Sequence, residues 1–286
     1  MKKKKMTRVE YQKRLRRKRM RLKPVPFAIL ILICSSIFIF SLYSLVTWQL
    51  DNNKIKNLHS EIDDISNGEF IKDKGDAFNP PDDKDSDYWY YIDLPFYNVD
   101  FDELLKKNKD TVAFIHMENN NINYPVVQSK DNNYYLTHAF DKSYNEAGWV
   151  FLDYRNNINS LSFNNIIYGH GRLNKTVFGS LKDTLDKKWQ SNKDNLAIYI
   201  STPNENMIFQ IFSIYTIKSE SYYINTLFNN KNEKSKWLDT MIKRNTSAIN
   251  TSVDTNDKIL TLSTCLDDNG GRVVVQAKLI KTQKRL

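Results

Sequence analysis

Cysteine is scarce in this chain. Only Cys34 and Cys265 occur among 286 residues, too few for the disulfide framework of a small secreted domain. Charge is missing from one long stretch: residues 24–50 contain no Asp, Glu, Lys or Arg. A helix over those residues reaches roughly 40 Å at about 1.5 Å per residue, more than a hydrocarbon core of about 30 Å. The run exceeds the usual signal-peptide core of about 7–15 residues, and no small-x-small cleavage site follows it. Acidic residues are nearly absent from 1–23, where thirteen Lys and Arg stand against Glu10. Because positive charge stays cytoplasmic, the pattern predicts a basic cytoplasmic tail over 1–23, a transmembrane anchor over 24–50, and a chain that continues outside the cytoplasmic membrane.

The formal net charge of +9 therefore belongs to the tail. Of the 42 Lys and Arg and 33 Asp and Glu, 29 and 32 lie beyond it, so the rest of the chain carries about −3. That balance argues against a nucleic-acid partner. No internal repeat or low-complexity domain is present.

Past the anchor, Ile55, Leu58, Ile62 and Ile65 recur at helical spacing and predict a short amphipathic helix. Residues 73–87, rich in Asp, Lys and Asn around Pro80-Pro81, read as a solvated linker. Residues 51–87 are thus expected to be a juxtamembrane helix and linker, and 88–286 a single domain, large enough for a substantial core. Short β-type runs dominate it, at 112–116, 122–127, 149–152, 165–168, 196–201, 207–217, 258–264 and 272–280. Eight such runs argue for a closed barrel or sandwich, with helical patterns between them at 101–107, 132–138, 176–184 and 235–244.

Cys265 ends the apolar, β-branched run Ile259-Leu260-Thr261-Leu262-Ser263-Thr264. A buried strand of that kind holds its last residue rigidly at the mouth of a cleft. Cys34 lies within the anchor and cannot pair with it, so Cys265 is a candidate nucleophile; the alternative is a buried structural cysteine. His170 closes the apolar run Asn165-Ile166-Ile167-Tyr168 between Gly169 and Gly171, which predicts a sharp turn that presents the ring for acid/base work. His59, His116 and His138 lie in contexts that suit surface or core roles. Arg272 opens the last run seven residues after Cys265, so a hairpin would set the two side by side, the guanidinium stabilising a developing oxyanion or holding a substrate carbonyl. The alternative for Arg272 is a surface pair with Asp267 or Asp268.

With these residues in place, the chain from about Tyr88 to Lys281 resembles a class B sortase, a cysteine transpeptidase of Gram-positive cell surfaces. The resemblance rests on Leu260-Thr261-Leu262-Ser263-Thr264-Cys265, Ile167-Tyr168-Gly169-His170, Phe178-Gly179-Ser180-Leu181 and Arg272-Val273-Val274-Val275. Tyr124-Pro125-Val126-Val127-Gln128, Tyr134-Tyr135-Leu136-Thr137-His138 and Phe151-Leu152-Asp153-Tyr154-Arg155-Asn156 support it in the same order. It implies a mainly β fold, a sortase-like eight-stranded β-barrel with peripheral helices, preceded by the transmembrane helix. It also implies cleavage of a C-terminal sorting signal through a thioacyl intermediate, with His170, Cys265 and Arg272 as the catalytic residues. By motif position the substrate groove falls on Asn132 and Leu136 along one wall, Tyr223 and Ile224 in a loop, and Ser263 beside the nucleophile. No cofactor or metal is implied, and the acidic residues show no metal-ligand spacing. The implied partners are surface proteins bearing a sorting signal, a peptidoglycan precursor or cross-bridge amine, and the cytoplasmic membrane.

The chain departs from the family pattern in Gly171, where Asn commonly follows the histidine, and in a short loop from Cys265 to Arg272. A pilus-type sortase using a pilin lysine is the nearest alternative function. An L,D-transpeptidase would carry a Ser-x-Gly pattern before its cysteine, where this chain has Ser263-Thr264. A non-catalytic, membrane-anchored surface binding protein would need none of the three catalytic residues.

Overall fold

Runs of Val, Ile, Thr and aromatic residues form eight principal strands in the computed structural model, which describes residues 7–19, 24–72, 74–82, 87–265 and 271–285. They are β1 (Thr111–His116), β2 (Asn123–Val127), β3 (Phe151–Leu152), β4 (Asn164–Gly169), β5 (Ala197–Ser201), β6 (Glu205–Lys218), β7 (Ile259–Cys265) and β8 (Gly271–Lys284). Around the sheet the order is β7, β4, β3, β2, β1, β5, β6, β8, and β8 pairs again with β7 to close the barrel. The β2/β3 and β4/β7 pairs are parallel and the others antiparallel. The β6/β8 ladder shifts register twice, at Gln276/Ala277 and Leu279/Lys281. Such bulges bend long strands, as closure requires.

Two features differ from a plain barrel. Asp76–Ala77, inside the segment expected to be linker, adds a short strand to β8, and Glu69–Ile71 pairs with Phe96–Asn98. Positions 73 and 83–86 of that segment lie outside the described residues. The helical pattern at 132–138 folds as a single 3-10 turn, Tyr134–Leu136, and the one at 176–184 as a longer 3-10 stretch, Gly179–Leu185.

Inward side chains such as Phe114, Trp149 and Phe209 fill the barrel. Strand β6 is buried on both faces over 206–215 because the helix Lys231–Arg244 covers its outer side. This helix starts at Asn230, whose side chain accepts a hydrogen bond from the Glu233 amide at 3.0 Å. Its Trp237, Leu238 and Met241 pack on Phe212, Tyr215 and Val274, each worth about 1.5–3 kcal/mol of apolar burial.

The chain divides into two compact units, Met1–Leu50 and Asp51–Leu286. One helix, Pro24–Ser66, runs through the division, and its apolar part is long enough and apolar enough to cross a membrane. Within the second unit, the helix buries Ile55, Leu58 and Ile62 against the barrel.

Candidate functional site

Strand β4 delivers His170 to the end of the barrel. The turn there owes nothing to left-handed backbone at Gly169 or Gly171, since neither has positive φ. Gly169 is needed for proximity: a Cβ there would lie 2.7 Å from the Phe178 ring. The glycine with the unusual backbone is Gly148, at φ +60. A Cβ on it would stand 2.5 Å from the Tyr135 carbonyl oxygen, 2.7 Å from that of Leu136 and 3.0 Å from His170 Cδ2. That close approach lets His170 Nε2 donate to the Leu136 carbonyl at 2.9 Å. A carbonyl oxygen only accepts, so the neutral ring carries its proton on Nε2 and keeps the Nδ1 lone pair for proton transfer. Burial pushes the imidazole below its ordinary 6.5; the Leu136 bond opposes this, and Arg172 and Arg272 add to it. The ring is therefore neutral at pH 7, ready to accept a proton.

The other three histidines are placed differently. His59 bonds the Asn123 carbonyl oxygen and His138 that of Tyr134, while His116 stacks on Tyr97 with Nε2 buried and unpaired.

Strand register brings the catalytic candidates to one place. Parallel pairing of β7 with β4 sets Ser263 beside Tyr168 and Thr264 beside Gly169, so the next residues along are Cys265 and His170. Antiparallel pairing sets Cys265 directly opposite Arg272, and directly opposed positions share a face of the sheet. The Cys265 side chain and residues 266–270 lie outside the described residues, and with them the expected short loop and any pairing with Asp267 or Asp268. Arg272 Nη1 donates to the Gly271 carbonyl at 3.0 Å.

His170 and Arg272 open onto a cleft of about 260 Å³, and all five expected groove residues line it. Asn132 has its amide committed: Nδ2 donates to Asp153 Oδ2 at 3.0 Å and Oδ1 accepts from the Tyr154 amide at 3.0 Å. Leu136 contributes a half-buried side chain besides its carbonyl. The Tyr223 hydroxyl is 2.9 Å from Ser263 Oγ, and both residues are buried. Ile224 is half-buried, and its carbonyl accepts from Arg155 Nη2 at 3.1 Å.

That bond belongs to a network that sequence reasoning missed. The fully buried Asp153 carboxylate takes Arg155 Nε at 2.8 Å on one oxygen, and Arg155 Nη2 at 2.6 Å and the Tyr168 hydroxyl at 2.9 Å on the other. Burial raises the carboxyl, but the Arg155 and Tyr168 hydrogen bonds outweigh it and hold Asp153 below the usual carboxylate range. The available signal was the acid-base pair Asp153 and Arg155, two apart at the end of a β-type run. Glu220, which also lines the cleft, was missed as well; its Oε1 accepts from Arg244 Nη1 at 2.6 Å.

A closed barrel that opens a cleft lined by His170 and Arg272, with the Cys265 backbone paired to Arg272, fits a thiol-dependent acyl-transfer enzyme. Residues 115–280 match the sortase domain, and the chain belongs to the sortase family. It is 35% identical over 181 residues to sortase B of Listeria monocytogenes, covering 62% of this chain and 73% of the relative. It is 34% identical over 184 residues to sortase B of Staphylococcus aureus, covering 63% and 75%. A crystal structure of sortase B from Bacillus anthracis superposes with a TM-score of 0.66 at 30% identity, over 81% of this chain and 99% of that one.

Proposed function

We propose that this sortase is a membrane-anchored class B enzyme with Cys265 as nucleophile, His170 as general acid and base, and Arg272 as oxyanion partner. It cleaves the C-terminal sorting signal of surface proteins and passes the acyl group to an amine of the cell-wall peptidoglycan. The observation that carries this reading is the register at the barrel mouth, with Cys265 opposite Arg272 and one step beyond the Thr264/Gly169 pair that leads into His170.

Each residue has a defined part. The neutral His170 ring takes the Cys265 thiol proton on Nδ1 and becomes imidazolium, the resulting thiolate adds to the scissile carbonyl carbon, and the negative charge that develops on its oxygen is met by the Arg272 guanidinium. As the C–N bond breaks, the His170 imidazolium gives a proton to the leaving amine and becomes neutral. An incoming amine then adds to the thioester carbonyl. His170 Nδ1 takes its surplus proton, and the Cys265 thiolate leaves. Nε2, bonded to Leu136, keeps its proton throughout and fixes the ring.

Tyr223, Ile224, Leu136, Asn132 and Ser263 form the walls that receive the sorting signal. The thirteen basic residues of 1–23 and the uncharged span after them support a cytoplasmic N-terminus and an external catalytic unit. Quenched sorting-signal peptides test the reading. Wild type should cleave at least one, and Cys265→Ala and His170→Ala should cleave none; cleavage by Cys265→Ala at the wild-type rate would refute it.

A further inference from the structure

The docked helix touches both loops that flank His170. On one side, Arg172 Nη2 donates to Asn52 Oδ1 at 2.6 Å. Arg172 is two residues from His170, and its amide donates to the His170 carbonyl at 3.1 Å. The loop is closed by the bridge between Gly171 and Val177, and the Val177 amide donates to the Tyr124 hydroxyl at 2.9 Å. Tyr124 in turn lies under the ring of His59 from the same helix, at 4.2 Å between centroids. On the other side, the fully buried Asn145 donates from Nδ2 to the Asp51 carbonyl at 3.3 Å. The Asn145 carbonyl then accepts from the amide of Gly148, the residue whose missing Cβ leaves room for the His170 ring and the Leu136 carbonyl.

Asn52 is itself buried, at 5% exposure. The guanidinium-to-amide bond is charge-assisted and directional, so it fixes how the loop sits in a way that apolar contact does not. Catalysis by proton transfer is sensitive to displacements of about 1 Å.

We propose that Asn52 and Arg172 are positioning residues of the transfer reaction: their hydrogen bond ties the juxtamembrane helix to the loop that carries His170. This rests on the reading of His170 as the proton-transfer group. The helix is then part of the catalytic apparatus as well as the connection to the anchor. Arg172 acts through the backbone of its loop and touches no substrate. The charged groups facing this contact are Asp51 and Glu146 around Arg172, and Arg172 and Arg272 around His170.

The test uses the full-length chain in detergent micelles. Two quantities are measured: kcat and KM on the sorting-signal peptide that wild type cleaves fastest, and solvent exchange of the His170 Nε2 proton in histidine-labelled protein. Asn52→Ala should lower kcat at least about 10-fold with KM within about twofold, and should speed the exchange at least about fivefold. Asn52→Asp, whose carboxylate accepts the same bond, should recover both to within about twofold. Wild-type exchange and kcat in Asn52→Ala would overturn the proposal. So would equal losses in Asn52→Ala and Asn52→Asp that follow their loss of Tm, because that pattern is mere destabilisation. If the wild-type chain cleaves no peptide, the functional reading fails, and the exchange measurement still decides the positioning claim.

Discussion

On the His170 side of the cleft, the ring hangs from a backbone carbonyl and fits because Gly148 has no Cβ; on the side of Tyr223 and Ile224, the wall hangs from side chains, Arg155 on Asp153 and Tyr223 on Ser263. The first wall is fixed by main-chain geometry that few substitutions tolerate. The second can be rebuilt one hydrogen bond at a time. The difference separates a wall whose geometry substitution disturbs at once from one that can be altered by degrees.

The sharpest attack on this contrast is Gly148→Ala. The new methyl group would meet two carbonyl oxygens at a φ of +60, so stability should fall by roughly 2–4 kcal/mol and kcat should collapse. Urea denaturation beside peptide cleavage measures both, and a variant with normal stability and kcat would show that the approach is not needed.

Asp153→Asn should be the next largest. It removes the charge that Arg155 pairs with, and since Arg155 is about one-third exposed, the cost should be about 2 kcal/mol, below that of a fully buried pair. Its kinetic signature should be a raised KM with kcat less affected, because the network holds the Ile224 loop and, among the described residues, no hydrogen bond ties it to His170. A fall in kcat alone would break the division between the walls.

Tyr223→Phe removes one hydroxyl and leaves the buried Ser263 with a lost partner. We expect about 1 kcal/mol and a change in KM of a few-fold, seen in Tm and in peptide titration. The smallest shift is in a titration, apart from what losing the oxyanion partner does to kcat. Arg272 helps hold His170 below its ordinary 6.5, so Arg272→Gln should move the imidazole titration upward, as followed by NMR of the ring. A downward shift would mean that the guanidinium does not act on the ring.

Much of this was legible from sequence for definable reasons. All eight barrel strands fall on the β-type runs, because strands buried in a closed barrel are built mostly of apolar, β-branched and aromatic residues. The cleft-lining positions of Asn132, Leu136, Tyr223, Ile224, Ser263, His170 and Arg272 followed from motif order. The short strand Asp76–Ala77 was hidden because two polar residues added to a sheet edge leave no period-two pattern. The Asp153 network was hidden because Asp153, Tyr168 and Asn132 meet only after the barrel closes. Gly148 drew no notice because a glycine's need for positive φ and for the room beside His170 is a property of the neighbours that surround it.

In the proposed reaction Cys265 forms a thioester that His170 helps to make and to break. Intact-mass analysis of the full-length chain, quenched with acid during turnover of a cleaved sorting-signal peptide, tests it most directly. A mass increase equal to the N-terminal peptide fragment, mapped to Cys265, is expected in the wild-type chain and in neither Cys265→Ala nor His170→Ala. An adduct on any other residue, or turnover in Cys265→Ala at the wild-type rate, would contradict it.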